Sequence, residues 1–219
     1  MFKMSENKST KTKILDAAEI LFAKGGFAET SMRAITEKAG VNLAAINYHF
    51  GSKNSLTIAV LDRYLKHLMP GLSSALAHLR SSKTAPNISD VLESFVTPLM
   101  DLDKVGRGGT VCFLKLLGRG YIDVQGQLKL YILETYCEDI EIIKESLRQS
   151  APHLSEEELF WRIHFTLGTS VFTLAASDAL MEISKSDYQT DIDTKGILER
   201  LLPFLGAGFS AINKSSTEK

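Results

Sequence analysis

The narrowest constraint on the fold lies between Thr30 and Gly51, where two short apolar stripes are separated by a tight turn. Thr30 and Ser31 stand where an N-cap is wanted, Met32, Ile35 and Ala39 recur at helical spacing, and Gly40 occupies the position after a helix end that favours a left-handed backbone. Val41 and Asn42 leave room only for a turn before Leu43–Phe50, where Ile46 and Phe50 are four apart. On the amino-terminal side, Ile14, Ala17, Ala18, Leu21 and Phe22 share one face of a helix from Thr10 to Lys24, closed by Gly25-Gly26. On the other side, a longer helix from about Asn54 to Met69 turns Leu56, Ala59, Val60, Tyr64, Leu65 and Leu68 inward. Two helices joined by so short a glycine-containing turn, with a supporting helix before and after, form a helix-turn-helix pattern.

Beyond Pro70 the chain changes character. Ser81–Pro86 reads as a loop, and a helix from Ser89 runs through Val91, Leu92, Phe95, Val96 and Leu99 with a bend expected at Pro98. A break at Gly106–Gly109 precedes the apolar Val111–Leu117. One long helix is expected over Gln125–Gln149, another from a Ser155 cap with Glu156, Glu157 and Glu158 in its first turn to about Met181, and a last one from Asp193 to near Asn213. With no strand alternation and no internal repeat, the chain reads as all-α. The expected division is a flexible tail over 1–10, a small three-helix head over 11–66 with its second short helix at about 42–50, and a larger helical body over 67–219.

Composition excludes several classes. The chain has 219 residues, 44% of them apolar and 23% charged, enough to bury a sizeable core and too balanced for disorder. No stretch reaches the roughly 20 apolar residues of a membrane span, and MFKMSENKSTKTK offers no apolar core for a signal peptide. Cys112 and Cys137 form neither a disulfide framework nor a CxxC pair, which makes a reducing cytoplasm the expected compartment and small buried hydrophobes their expected role. No Gly-rich phosphate loop, GxSxG, HExxH or Cys/His metal spacing is present, so neither an enzyme nor a cofactor is expected.

The net charge of −1 conceals an asymmetry. Residues 1–66 hold ten Lys/Arg against six Asp/Glu, a net +4, which leaves −5 for the remainder. A positive head suits a polyanion. The second short helix begins with small and hydrogen-bonding residues, Asn42, Leu43, Ala44, Ala45 and Asn47, which suit base edges in a major groove: Asn can bridge adenine, and Ala or Leu can touch a thymine methyl. Around them, Tyr48, His49, Lys53, Thr30, Ser31 and Arg33 suit phosphate. Each has a plainer alternative: Tyr48 and His49 as half-buried packing residues, Lys53 as a solvated charge, Asn42 as a helix cap alone. Their joint occurrence in one segment favours the functional reading.

The run from Thr12 to Leu65, above all GFAETSMRAITEKAGVNLAAINYHFGSKNSL, resembles the DNA-binding domain of the TetR family of bacterial transcriptional regulators. It covers about a quarter of the chain. The resemblance implies that Ser31, Arg33, Asn42, Ala44, Ala45, Asn47, Tyr48, His49 and Lys53 fall where family members touch double-stranded DNA. Many members carry a Thr-Leu-Tyr or similar segment where this chain has Ala45-Ile46-Asn47, so no base preference carries over. It also implies a homodimer on an inverted-repeat operator, with heads about 34 Å apart or a multiple of that, and a four-helix interface built from the last two helices of each copy. Phe160, Leu167, Val171, Leu201, Leu205, Gly208 and Phe209 are the candidates for that interface.

A small-molecule pocket is expected between TVCFLKLLGRG and FWRIHFTLGTSVF, lined by Cys112, Phe113, Leu116, Trp161, Phe165 and Phe172, with Lys115, Arg119, Arg162 and His164 as anchors for an acidic head group. The plainer alternative makes the anchors rim charges and a satisfied core histidine. VNLAAINYHFGSK and ELFWRIHFTLG look like the PsrA-like branch, whose members respond to long-chain fatty acids or their coenzyme A thioesters. That likeness implies a repressor of lipid or fatty-acid metabolism genes, released by such an effector. Alternatives are a drug-efflux regulator sensing another hydrophobic ligand, and a dimeric scaffold that has lost DNA binding.

Overall fold

The computed structural model describes residues 9–81, 86–106, 108–123 and 125–211. Residues 1–8 of the expected tail, most of the Ser81–Pro86 loop, and Ile212 and Asn213 lie outside them. The described chain is helical, with no strand. Contacts divide it into two compact units, one holding the chain up to Leu65 with Lys115–Thr135, the other Lys66–Leu114 with Tyr136 onward.

In the first unit, α1 (Thr10–Gly25), α2 (Met32–Ala39), α3 (Leu43–Phe50) and the start of α4 (Lys53–Arg80) surround a core in which Ile14, Ala18, Phe22, Ile35, Ile46 and Leu56 are fully buried. Replacing one of the large aliphatic residues there by Ala would cost about 2–5 kcal/mol. Gly40 closes α2 with φ 66° and ψ 38°, a left-handed conformation that strains any residue with a Cβ. Arg63 of α4 reaches Asp16 at 2.9 Å and Glu19 at 3.0 Å on α1, so one of the head's cations is neutralised internally. Lys115–Thr135 joins this unit through Gly120, where an added Cβ would lie 3.0 Å from Leu128 and 3.5 Å from Leu61 and Phe27.

Four helix boundaries differ from expectation. α4 does not stop at Met69 but continues through Pro70. Leu65, Leu68, Met69, Leu72 and Leu76 keep one face buried on both sides of the proline, while Pro70 is exposed, as is Lys66, whose carbonyl loses its helical donor there. The expected bend at Pro98 falls earlier, between α5 (Ile88–Ser94) and α6 (Val96–Met100), because the Ser94 carbonyl is the one a proline at 98 cannot satisfy. Gln125–Gln149 is two helices, α8 (Gln125–Thr135) and α9 (Cys137–Ser150), parted at the buried Tyr136, where the chain passes from one unit to the other. The helix expected to reach Met181 divides at Ala176 into α10 (Glu156–Ala175) and α11 (Ser177–Tyr188).

The remaining elements of the second unit are a short 3-10 turn over Asp101–Lys104, the start of α7 (Gly109–Asp123), and α12 (Thr194–Ser210). A Cβ on Gly109 would strike the Leu102 carbonyl, so glycine is required there. Ser155 and Asp193 cap α10 and α12 as expected. α12 packs on α5 and α10 through Ile197, Leu198, Leu201, Leu205 and Phe209, all buried. No described helix is long and apolar enough to cross a membrane.

Candidate nucleic-acid interface

The geometry of α2 and α3 follows from three local devices. Ser31 Oγ accepts from the Ala34 amide at 3.1 Å and Asn42 Oδ1 from the Ala45 amide at 2.9 Å, so each helix starts on a side-chain cap. Between them, the Gly40 and Val41 amides turn back to the carbonyls of Glu37 and Thr36. Ile46 is fully buried, and this single anchor fixes which face of α3 looks outward. Asn42, Leu43, Ala44, Asn47 and Tyr48 are exposed on that helix, Tyr48 at 86%, while Ala45 and His49 are half-buried. Tyr48 and His49 meet edge to face at 5.1 Å.

The cations flanking α3 are not idle. Lys53 donates from Nζ to the Ala28 carbonyl at 2.9 Å, and Arg33 donates from Nε to Glu37 Oε1 at 3.1 Å, both at exposed positions. Glu37 was absent from the sequence-based set; its i,i+4 spacing from Arg33 is the signal that would have found it. Thr30 leaves the set. It is 7% exposed, and its hydroxyl donates to the Gly26 carbonyl at 2.7 Å, closing the α1–α2 loop.

Residues 14–60 match the model of bacterial regulatory proteins of the tetR family, and residues 93–208 match that of the tetracyclin repressor-like C-terminal domain. The chain belongs to the tetR family. A probable HTH-type transcriptional regulator of Bacillus subtilis, YttP, is 34% identical over 76 residues, 35% of this chain and 37% of that protein. The curated relatives are thus matched over less than half their length. A TetR-like regulator from Rhodococcus sp. RHA1 has the same fold, with a TM-score of 0.58, 20% identity, and 95% of this chain and 100% of that one covered. The fatty acid degradation regulator FadR of Bacillus halodurans gives 0.57 and 14% over 93% and 98%. The family and these relatives are regulators, not enzymes.

In the body of this tetR-family chain, one groove brings together residues expected at the dimer face and residues expected in the pocket. Leu201, Leu205 and Phe209, expected at the dimer face, are 7%, 6% and 1% exposed because they hold α12 inside its own chain. Trp161, Phe165 and Phe172, expected in the pocket, are 47%, 61% and 68% exposed. Trp161 and Phe165, with rings 5.8 Å apart, line an open groove of about 620 Å³ between α10 and α12, with Phe204 and Gly208 on its other wall and Leu205 and Phe209 reaching its floor. Phe204, 65% exposed, was missed, although it sits one step out of phase with the Leu201–Leu205–Phe209 stripe. Phe160 is also exposed, and Leu167 and Val171 are half-buried.

The expected cationic anchors have other partners. Arg162, its side chain 11% exposed, donates to the carbonyls of Gly208 and, at 2.9 Å, Ala211, closing the end of α12. Arg119 donates to the Lys24 carbonyl at 3.3 Å at the end of α1. His164 Nδ1 donates to the Phe160 carbonyl at 2.7 Å beneath the Phe160 ring. Lys115 is half-buried on α7, where Phe113 and Leu116 are fully buried and Cys112 half-buried; none of these lines the groove. Cys137, expected to be buried, is exposed at the start of α9, because the break at Tyr136 turns it outward.

Proposed function

We propose that the chain is a homodimeric, ligand-responsive DNA-binding transcriptional regulator acting as a repressor. The observation that carries the reading is α3. A helix locked by Ile46 presents Asn42, Ala44, Asn47 and Tyr48 to solvent, with Arg33 and Lys53 beside it. In a major groove, the amides would read base edges while the flanking donors fix register on phosphate. Two copies joined through the exposed α10–α12 groove would offer two such heads to an inverted repeat. Salt-dependent binding of the wild type to duplex DNA, weakened by Tyr48→Ala, tests the reading; binding that is absent, or indifferent to Tyr48→Ala, sinks it.

The effector class we propose is a long-chain fatty acid or its coenzyme A thioester, with lipid-metabolism genes as targets. It is supported by the apolar α7 run from Val111 to Leu117 and by the likeness of two segments to the PsrA-like branch. Of the anchors expected from the sequence, Arg119 and Arg162 are engaged with backbone carbonyls, and Lys115 is the one assigned here to a carboxylate. Effector binding would shift the equilibrium between head spacings by its differential affinity for them. Release of bound DNA and a thermal shift with oleate or oleoyl-CoA are expected. Neither ligand producing either effect, with DNA binding intact, rejects the effector class.

A further inference from the structure

α10 and α11 together carry more apolar surface than the groove uses. Trp161, Phe165, Gly168 and Phe172 repeat at helical spacing and are all exposed. Backbone bonding carries through the division at Ala176, whose amide donates to the Phe172 carbonyl at 3.0 Å and whose carbonyl accepts from Leu180 at 3.0 Å. Counted at the same intervals, the sequence next reaches Ala179 and Ile183 on α11, both exposed. Ile183 is 52% exposed and Tyr188 77%, and Ser177 is the one residue of the helix that is buried. An isolated helix of 12 residues is marginal in water, and the exposed Lys185–Asp191 pair adds little.

We propose that α11 docks on a second copy of this chain, extending the interface that begins in the α10–α12 groove; the inference rests on the dimer reading above. Area favours this occupant. Trp161, Phe165, Phe172 and Phe204 are 47–68% exposed, and at about 150–250 Å² per buried aromatic they offer on the order of 500 Å². A stable interface takes about 800 Å² from each partner. α11 adds the exposed Ala179, Ile183 and Tyr188 toward that area, and in a two-fold interface a stripe on one copy meets its equivalent on the other. Charge disfavours DNA or anionic lipid as the cover, since Asp178, Glu182 and Asp187 outnumber Lys185 on α11.

Hydrogen exchange on the full chain, with sedimentation to read the oligomer, tests this in wild type, Phe204→Asp and Ile183→Lys. The expected result is a wild-type dimer with protected α11 amides and a Phe204→Asp monomer in which those amides exchange at least tenfold faster while α1–α3 amides are unchanged. Ile183→Lys is expected to weaken the dimer at least tenfold with an unaltered circular dichroism spectrum in the monomer. If Phe204→Asp is monomeric but α11 exchanges as in wild type, and Ile183→Lys leaves the dimer constant unchanged, α11 docking is overturned and the groove reading stands. A Phe204→Asp chain that stays dimeric overturns the groove reading instead, and Ile183→Lys still decides the role of α11. Should Phe204→Asp not fold, diluting the wild type below its dissociation constant gives the same comparison.

Discussion

Lys53 at the start of α4 holds the carbonyl of Ala28 in the α1–α2 loop, 2.9 Å away, so the ammonium that would meet a phosphate also ties two parts of the head together. Lys53→Ala is therefore expected to weaken binding to operator and non-operator DNA alike and to lower the slope of log K against log salt by about one. Fluorescence anisotropy over a salt series checks it. A loss confined to one sequence would show that Lys53 reads bases.

Arg33 is paired with Glu37 in the free chain, their side chains 88% and 67% exposed. An exposed pair of this kind is worth little to folding, about 0.3–0.5 kcal/mol. Its effect on a polyanion is larger, because Glu37 cancels the charge beside the proposed phosphate contact. Glu37→Gln should raise affinity for any duplex a few-fold and steepen the salt dependence, with urea stability nearly unchanged. An unchanged salt slope would contradict the masking.

Asn42 caps α3 through Oδ1 and leaves its amide nitrogen to face outward. Asn42→Ala should cost about 1 kcal/mol of stability through the lost cap and also alter base preference. Asn42→Ser, which keeps a capping oxygen, should alter base preference with a few tenths of that cost. Urea midpoints read the first effect and selection from mixed duplexes the second; equal stability loss in both variants would argue against capping by the side chain.

Arg148 at the end of α9 bonds Glu156 at 2.8 and 3.1 Å and Glu145 at 2.7 Å, bracing the turn into α10. Hydrogen bonds from the guanidinium hold both carboxyl groups below their ordinary value of 4.5. Groups lowered by folding stabilise the fold above their unfolded pKa, and that contribution disappears as pH falls through the lowered value. The brace is thus complete at neutral pH and lost in acid below about 4.5. In Arg148→Met the urea midpoint should vary less with pH across that acid range than in wild type. An identical pH profile would show the brace contributes nothing; its partial exposure to solvent makes the expected difference small.

The head was legible from sequence because its signals are local. Gly40, the Ser31 and Asn42 caps and the Ile14–Phe22 stripe each act within a few residues. The body was less so. Tyr136 and Ala176 carry no helix-breaking chemistry, and the chain divides there for tertiary reasons. Helical spacing showed that α10 and α12 are apolar on several faces but not which face their own chain covers. That is why spacing alone did not show that Leu201 and Phe209 are buried in their own chain while Trp161 and Phe165 are exposed. The bonds of Arg162 to the Gly208 and Ala211 carbonyls were not legible because the partners lie far apart in sequence, while the Thr30 bond to Gly26 spans only four residues but depends on the path of the α1–α2 loop.

Selection of binding sites from a random duplex pool by the wild type and by Asn47→Ala decides whether α3 reads bases. The wild type should select an inverted repeat, its half-sites about one helical turn or a multiple apart, and Asn47→Ala a repeat altered at the same position in both halves. A pool with no common motif, or the same motif for both proteins, would contradict base reading by α3.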